Sequence, residues 1–302
     1  MRRTACTLKA GPSLTEGDRP VQTISQLDAL RAALADLRRD GAKIALVPTM
    51  GALHDGHLSL IRAAAREAGH VVASIFVNPR QFGAGEDLDA YPRQLARDAA
   101  LLEAEGADLL WAPSPEAMYP AGYATNISVA GVSEGLCGGD RPGHFDGVAT
   151  VVCKLFNQVR PDLAFFGEKD WQQLAVIRRM ARDLDLTAPD AEAIRAVPIM
   201  REEDGLAMSS RNAYLSAEER QAASALPRLM ADAATRLAEG VSASEALQAL
   251  RTGLLASGFD HVDYAELRDQ ASLEPLDNHR DGARLFVAAR IGRTRLIDNC
   301  AV

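Results

Sequence analysis

Two histidines and two glycines crowd one short stretch, Pro48-Thr49-Met50-Gly51-Ala52-Leu53-His54-Asp55-Gly56-His57, between an apolar run and a segment of helical period. At a helix N-terminus His54 and His57 would face the end where free backbone N–H groups favour an anion. Gly51 and Gly56 let a phosphate or a base come close with no Cβ in the way. The chemistry that fits is attack at the α-phosphorus of a triphosphate, with imidazole N–H groups meeting the charge that grows in the transition state. The alternatives are a zinc pair, for which no third ligand is evident beside the two rings, or an incidental helix cap. Cys6, Cys137, Cys153 and Cys300 are far apart, with no C-x-x-C pair, so they indicate reduced thiols rather than a metal knuckle or a disulfide framework.

Three other stretches carry polar groups at the ends of apolar runs. In Phe76-Val77-Asn78-Pro79-Arg80-Gln81 the Asn-Pro pair turns the chain, and Gln81 offers one acceptor and two donors without charge. Its alternative role is a loop-capping amide. In Gly167-Glu168-Lys169-Asp170-Trp171-Gln172-Gln173 a lysine stands where a helix begins, a poor place for a cation in the helix dipole. Reaching over phosphates would account for it; otherwise Lys169 is a solvated lysine. Asp170 is expected to cap that helix. Met208-Ser209-Ser210-Arg211 supplies two hydroxyls and a guanidinium, suited to phosphate oxygens, or else a helix cap. The preceding Arg201-Glu202-Glu203-Asp204-Gly205 reads as a flexible hinge, which would let this strap close as a lid.

These groups need a scaffold that brings strand ends together. Apolar runs predict strands at 43–47, 71–77, 109–112 and 163–166, alternating with helices at 58–68, 94–105, 147–159 and 171–183. Continuous apolar strands alternating with helices indicate an α/β fold, a doubly wound, Rossmann-like parallel sheet covered on both faces. Such sheets bind ligands at the carboxyl ends of their strands. Past Pro198-Ile199 the pattern changes to helices at 217–239 and 243–257 and strands at 262–267 and 285–289, read as a smaller α+β domain with an antiparallel sheet. The expected division is a polar N-terminal extension over 1–20, a nucleotide-binding domain over 21–199 and a lid domain over 200–302.

A net charge of −8 and a pI near 5.3 argue against a nucleic-acid or acidic-membrane binder, while leaving room for a locally cationic cleft. Apolar runs are strand-sized, too short for a bilayer span, and the N-terminus lacks the apolar core of a secretory signal. The expected location is cytoplasmic.

The His-Asp-Gly-His run resembles the H-x-G-H signature of the nucleotidyltransferase superfamily. The longer PTMGALHxGH string is similar to that of the pantothenate synthetases (pantoate–β-alanine ligases, AMP-forming). Phe76-Val77-Asn78-Pro79-Arg80-Gln81-Phe82-Gly83, Arg141-Pro142-Gly143-His144-Phe145, Phe165-Phe166-Gly167-Glu168-Lys169-Asp170-Trp171-Gln172-Gln173 and Met208-Ser209-Ser210-Arg211-Asn212 fit the same family, in order, over about residues 43–215. The resemblance implies adenylation of pantoate by ATP and capture of pantoyl-adenylate by β-alanine. It implies His54, His57 and Lys169 as catalytic groups, and ATP against Met50, Gly51, Ala52, Leu53, His54, Asp55, Gly56, His57, Gly167, Glu168, Lys169, Asp170, Met200, Met208, Ser209, Ser210 and Arg211. Pantoate or β-alanine would meet Gln81, Gln173, Asn78, Arg141 and Tyr91. Mg²⁺ would ride on the ATP phosphates with no protein ligand set, and the enzyme would be a homodimer through its first domain. The rivals are a nucleotidyltransferase that retains the nucleotidyl group, disfavoured by the paired glutamines, and a non-catalytic nucleotide-binding module, disfavoured by the histidines with Lys169.

Overall fold

The structure, a computed structural model, describes residues 21–83, 86 and 88–302. The expected N-terminal extension, with Cys6, lies outside the described residues.

The chain runs β1 (Gln22–Ile24), α1 (Leu27–Leu37), β2 (Ile44–Thr49), α2 (Asp55–Glu67), β3 (His70–Ile75), α3 (Leu95–Ala104), β4 (Leu109–Trp111), α4 (Pro115–Met118), α5 (Leu136–Asp140), α6 (His144–Val159), β5 (Leu163–Gly167), α7 (Trp171–Asp183) and β6 (Ile194–Val197). The six strands form one sheet in the order β1-β4-β3-β2-β5-β6, every pairing parallel. Successive side chains of β2 serve opposite faces. Ile44 and Leu46 enter the core with α1, α6 and α7, while Ala45 and Val47 pack with Leu60, Ile61 and Ala64 of α2 and Leu102 of α3. Burial on both faces is why β2 is a continuous apolar run. From β2 the chain winds outward through β3 and β4, then returns to place β5 on the other flank. The gap beyond the carboxyl ends of β2 and β5 is therefore the switch point of the sheet.

The remainder continues as α8 (Ala217–Ala223), α9 (Ala225–Ala238), α10 (Ala243–Ala256), β7 (His261–Asp269), β8 (Ala283–Ile291) and β9 (Thr294–Ala301). The three strands form an antiparallel sheet in that order. One face carries Ala265, Leu285, Val287 and Leu296 against α9 and α10, and the other packs Tyr264, Phe286 and Ala288 into the core of the larger unit. The two-domain α/β reading holds, with corrections in detail. The helix expected over 217–239 breaks at Ser224, because Pro227 has no N–H to donate back to the first segment. Strands β1, β6 and β9 and helix α1 are additional to those expected.

Candidate active site

The loop after β2 bends sharply. Gly51 and Ala52 both take positive φ, 84° and 52°, and the next N–H groups turn away from the strand. Those of Ala52 and Leu53 donate to the carboxylate of Asp98, at 2.9 and 3.0 Å. Asp98 sits on α3 and is fully buried, so this anion, supplied by the protein itself, holds the loop in shape.

Beyond the bend His54 caps α2 with its ring. The Gly56 N–H donates to His54 Nδ1 at 3.1 Å, and the His54 N–H donates to His57 Nδ1 at 3.4 Å, an imidazole version of the reciprocal capping box. A Cβ on Gly56 would stand 2.8 Å from the His54 ring, so only glycine admits this packing. With Nδ1 of each ring accepting, a neutral ring carries its proton on Nε2. Both rings are neutral near pH 7: burial, then the Lys169 charge, lowers His54 to about 4, and burial, then His54 and Lys169, lowers His57 to about 3. The pair, with ring centroids 4.1 Å apart, therefore presents two uncharged N–H donors to an anion.

His54, Gly56 and His57 line an inner cavity of about 230 Å³ with Met50, Gln81, Tyr91, Gly167, Lys169, Asp170, Gln173, Met200, Met208, Ser209, Ser210 and Arg211. An outer cleft of about 820 Å³ runs between the antiparallel sheet, chiefly β9, and the start of α7 with the end of α5. Arg141, His144, Lys169, Asp170, Gln173, Ser209 and Arg211 line both, so the two communicate across this cationic wall. Among the residues named from the sequence, Gly51, Ala52, Leu53, Asp55 and Glu168 line neither cavity, and Asn78 lies behind Gln81.

That support is specific. Asn78 is 1% exposed; its Nδ2 donates to Gln81 Oε1 at 3.1 Å and to the Gly147 carbonyl at 3.0 Å. The turn at Pro79–Gln81 lies so close to α6 that a Cβ on Gly147 would meet the Arg80 carbonyl oxygen. With Oε1 engaged, Gln81 turns its Nε2 towards Met50 Sδ, 2.9 Å away on the cavity wall. His144 holds the same turn: its Nδ1–H donates to the Gln81 carbonyl at 2.7 Å, and its Nε2 accepts from Arg141 at 3.2 Å. Burial, then the Arg141 charge, lowers His144 to about 4, so this ring too is neutral. Arg141 is clamped by Glu86 at 2.5 and 2.7 Å.

On α7 the neighbouring glutamines diverge. Gln172 is buried and spends its amide on the carbonyls of Val132, Glu134 and Gly135 and the Cys137 N–H, whereas Gln173 reaches both cavities. Asp170 makes no side-chain cap on α7, contrary to expectation; its ψ of 54° lies outside the extended geometry a capping side chain needs. It pairs with Lys169 at 3.8 Å instead. Nor is the 201–205 stretch an open hinge: Arg201 bridges to Ala207, and Arg220 clamps Glu202 and Asp204 at 2.7 and 2.6 Å. Asp98, Glu86 and His144 were not among the expected site residues. For His144 the Arg-Pro-Gly-His string was the available signal, while Asp98 had none.

Among the described residues no group of three or more His, Cys, Asp or Glu is placed to hold a metal ion. A parallel sheet with a neutral imidazole pair and a cationic wall at its switch point has the form of an α/β site for an anionic ligand. Residues 22–301 match the family model described as pantoate-beta-alanine ligase, and the chain belongs to that family. It is 64% identical to the pantothenate synthetase of Novosphingobium aromaticivorans, over 93% of this chain and 99% of that one. A pantothenate synthetase structure from Thermus thermophilus superposes with a TM-score of 0.86 at 49% identity, covering 93% of this chain and 99% of its own. A pantoate-beta-alanine ligase from Francisella tularensis, complexed with β-γ ATP and β-alanine, superposes at 0.77 with 32% identity, over 93% and 97% of the two chains.

Proposed function

We propose that the inner cavity binds ATP and pantoate side by side and that the chain joins pantoate to β-alanine in two steps. The pantoate carboxylate attacks the α-phosphorus of ATP; the bond to the bridging oxygen breaks and pyrophosphate leaves, giving pantoyl-adenylate. The β-alanine amine then attacks the acyl carbon, loses a proton and expels AMP, leaving pantothenate. The observation that carries this reading is the pair of Nε2–H donors beside Lys169, Ser209, Ser210 and Arg211 on one cavity. Neutral donors and fixed cations at one phosphate chain stabilise charge that develops at phosphorus without needing reorganisation.

Gln81 and Gln173 take pantoate in this reading, with Asn78, Arg141 and Tyr91 setting their wall, and β-alanine arrives through the outer cleft. Mg²⁺ enters as part of the ATP complex, since an ion preferring six oxygens would draw most of them from the triphosphate and water. The boundary between the two units falls near residue 200, and the 200–302 unit, with its 208–211 strap, covers the nucleotide. The enzyme pairs as a homodimer through its first unit. It works in the cytoplasm, where Cys137, Cys153 and Cys300, all free thiols, stay reduced. Among the described residues no helix is long and apolar enough to cross a membrane.

The direct test supplies ATP, Mg²⁺, pantoate and β-alanine and follows nucleotide products. AMP and pyrophosphate are expected in equal amounts with pantothenate. ADP and phosphate, or a product that keeps the nucleotidyl group, would reject the adenylate route.

A further inference from the structure

On strand β9, whose sheet is packed on both faces, Asp298 and Asn299 are consecutive, polar and both buried, at 3% and 2% exposure. Neighbours on a strand point to opposite faces, and these two reach opposite sides of the nucleotide site. Asp298 accepts from both terminal nitrogens of Arg201, at 2.7 and 3.0 Å. Arg201 in turn donates to the Gly205 carbonyl at 2.9 Å and pairs with Ala207, fixing the root of the strap that carries Ser209 and Arg211. Asn299 faces the other way, and its Nδ2 donates to the carbonyls of Glu168 and Lys169 at 3.0 and 2.9 Å. Its Oδ1 accepts from Arg284, whose guanidinium lies 3.5 Å from the centroid of the Trp171 ring. The Asn299 backbone N–H also donates to the Asp298 carboxylate at 2.7 Å, which fixes that carboxylate on the strand.

We propose that the Asp298-Asn299 pair is a strut that sets the spacing between two parts of the cationic wall, Lys169 and the Ser209–Arg211 strap. This rests on the reading that those groups hold the triphosphate. Both strut residues line the outer cleft and neither lines the inner cavity, so towards the triphosphate each is a positioning residue, acting through the backbone of the Lys169 turn or through Arg201. The physical need is strict. Charge stabilisation depends on donors within about 2.7–3.1 Å of the developing charge, and a displacement of about 1 Å costs on the order of 10²-fold in rate. A bidentate guanidinium–carboxylate pair and an amide bonded to two carbonyls are stiff connections, and one short strand segment makes both.

The test is a double-mutant cycle on pantoate-dependent pyrophosphate exchange, with kcat and ATP KM measured separately and each variant checked by thermal melting. Asn299→Ala is expected to lower the exchange kcat by about 10- to 100-fold. In a Lys169→Ala background the same change should cost less than about twofold, because the group it positions is already gone. Turnover of supplied pantoyl-adenylate with β-alanine should change little. A merely structural asparagine would instead give the same fold-loss in both backgrounds, and that result overturns the strut. Lys169→Ala alone leaving exchange intact would remove the reading of the site and the strut with it, a result distinguishable from the first. If Asn299→Ala does not fold, Asn299→Ser carries the same cycle with the same expected outcomes. Asp298→Asn crossed with Arg211→Ala reads the other arm, where multiplying losses likewise count against the strut.

Discussion

Adenylate formation by His57→Ala is expected to fall by about 10²–10³-fold, the usual cost of removing one preorganised donor to transition-state charge. The ring is held for that task before substrate arrives. Its Nδ1 accepts the His54 N–H, which leaves the proton on Nε2, and burial, then His54 and Lys169, keeps the ring neutral. ATP should still bind and the fold should still melt cooperatively, because the loop is held independently by Asp98. Supplied pantoyl-adenylate should turn over with β-alanine at nearly the parent rate. An equal loss in that half-reaction would assign His57 a different role. The pH profile gives a second reading of the same geometry. A lowered histidine pKa means that the neutral, working form persists until pH falls through about 4 for His54 and about 3 for His57. The adenylation rate should therefore show no histidine inflection between about pH 5 and 8, where an ordinary imidazole titrates. Activity that falls as pH rises through about 6.5, with that step lost in the His57 variant, would show that the ring works as a cation.

Gln81→Glu should raise the KM for pantoate more than tenfold and more than Gln81→Ala does. Gln81 is 9% exposed, and Asn78 already occupies its carbonyl oxygen, so its N–H groups are what it offers to the cavity. Glutamate would replace those donors by a charge beside the substrate's own carboxylate. Two like charges about 4 Å apart at an effective dielectric near 20 repel by about 4 kcal/mol, which sets an upper bound well beyond the ~1.4 kcal/mol of a tenfold change. The same order is expected for Gln173→Glu against Gln173→Ala. An arginine at 173 would bind the carboxylate strongly before reaction and lose that attraction as the oxygen gives its charge to phosphorus, so kcat should fall without a gain in kcat/KM. Steady-state kinetics varying pantoate at saturating ATP and β-alanine decide it. Glutamate variants that keep pantoate KM within about threefold would show that these glutamines do not touch pantoate.

What could be read in advance follows from how local each signal is. The His54–His57 run lies between a continuous apolar strand and a helix, so its place at the sheet's switch point follows from neighbours in the chain. Helix α7 likewise spans Trp171–Asp183, as expected from its apolar spacing. Asp98 shows the opposite case. It meets residues 46 and 45 positions away, and only the winding of β2, β3 and α3 brings it to the loop. Nothing in Leu95-Ala96-Arg97-Asp98 separates it from a solvated helix aspartate. Strand β9 is obscured by Arg295 and Asp298, charges whose partners Asp263, Asp140 and Arg201 are distant in sequence and neutralise them on burial. Leu27, Leu30, Leu34 and Leu37 do carry a helical period, so α1, although not among the expected helices, is legible from local spacing alone. The apparent hinge at 201–205 shows that charged, glycine-containing runs look mobile until partners elsewhere in the chain, such as Arg220 and Asp298, are known.

The measurement closest to the central claim is exchange of labelled pyrophosphate into ATP with pantoate present and β-alanine withheld. A stepwise adenylate formed between the imidazole pair and the cationic wall is reversible before the amine arrives. Exchange should therefore require enzyme, Mg²⁺ and pantoate, and should collapse in His57→Ala by the same factor as adenylation. Exchange that appears only when β-alanine is added would contradict the account, because acyl activation and amide formation would then not be separable steps at this site.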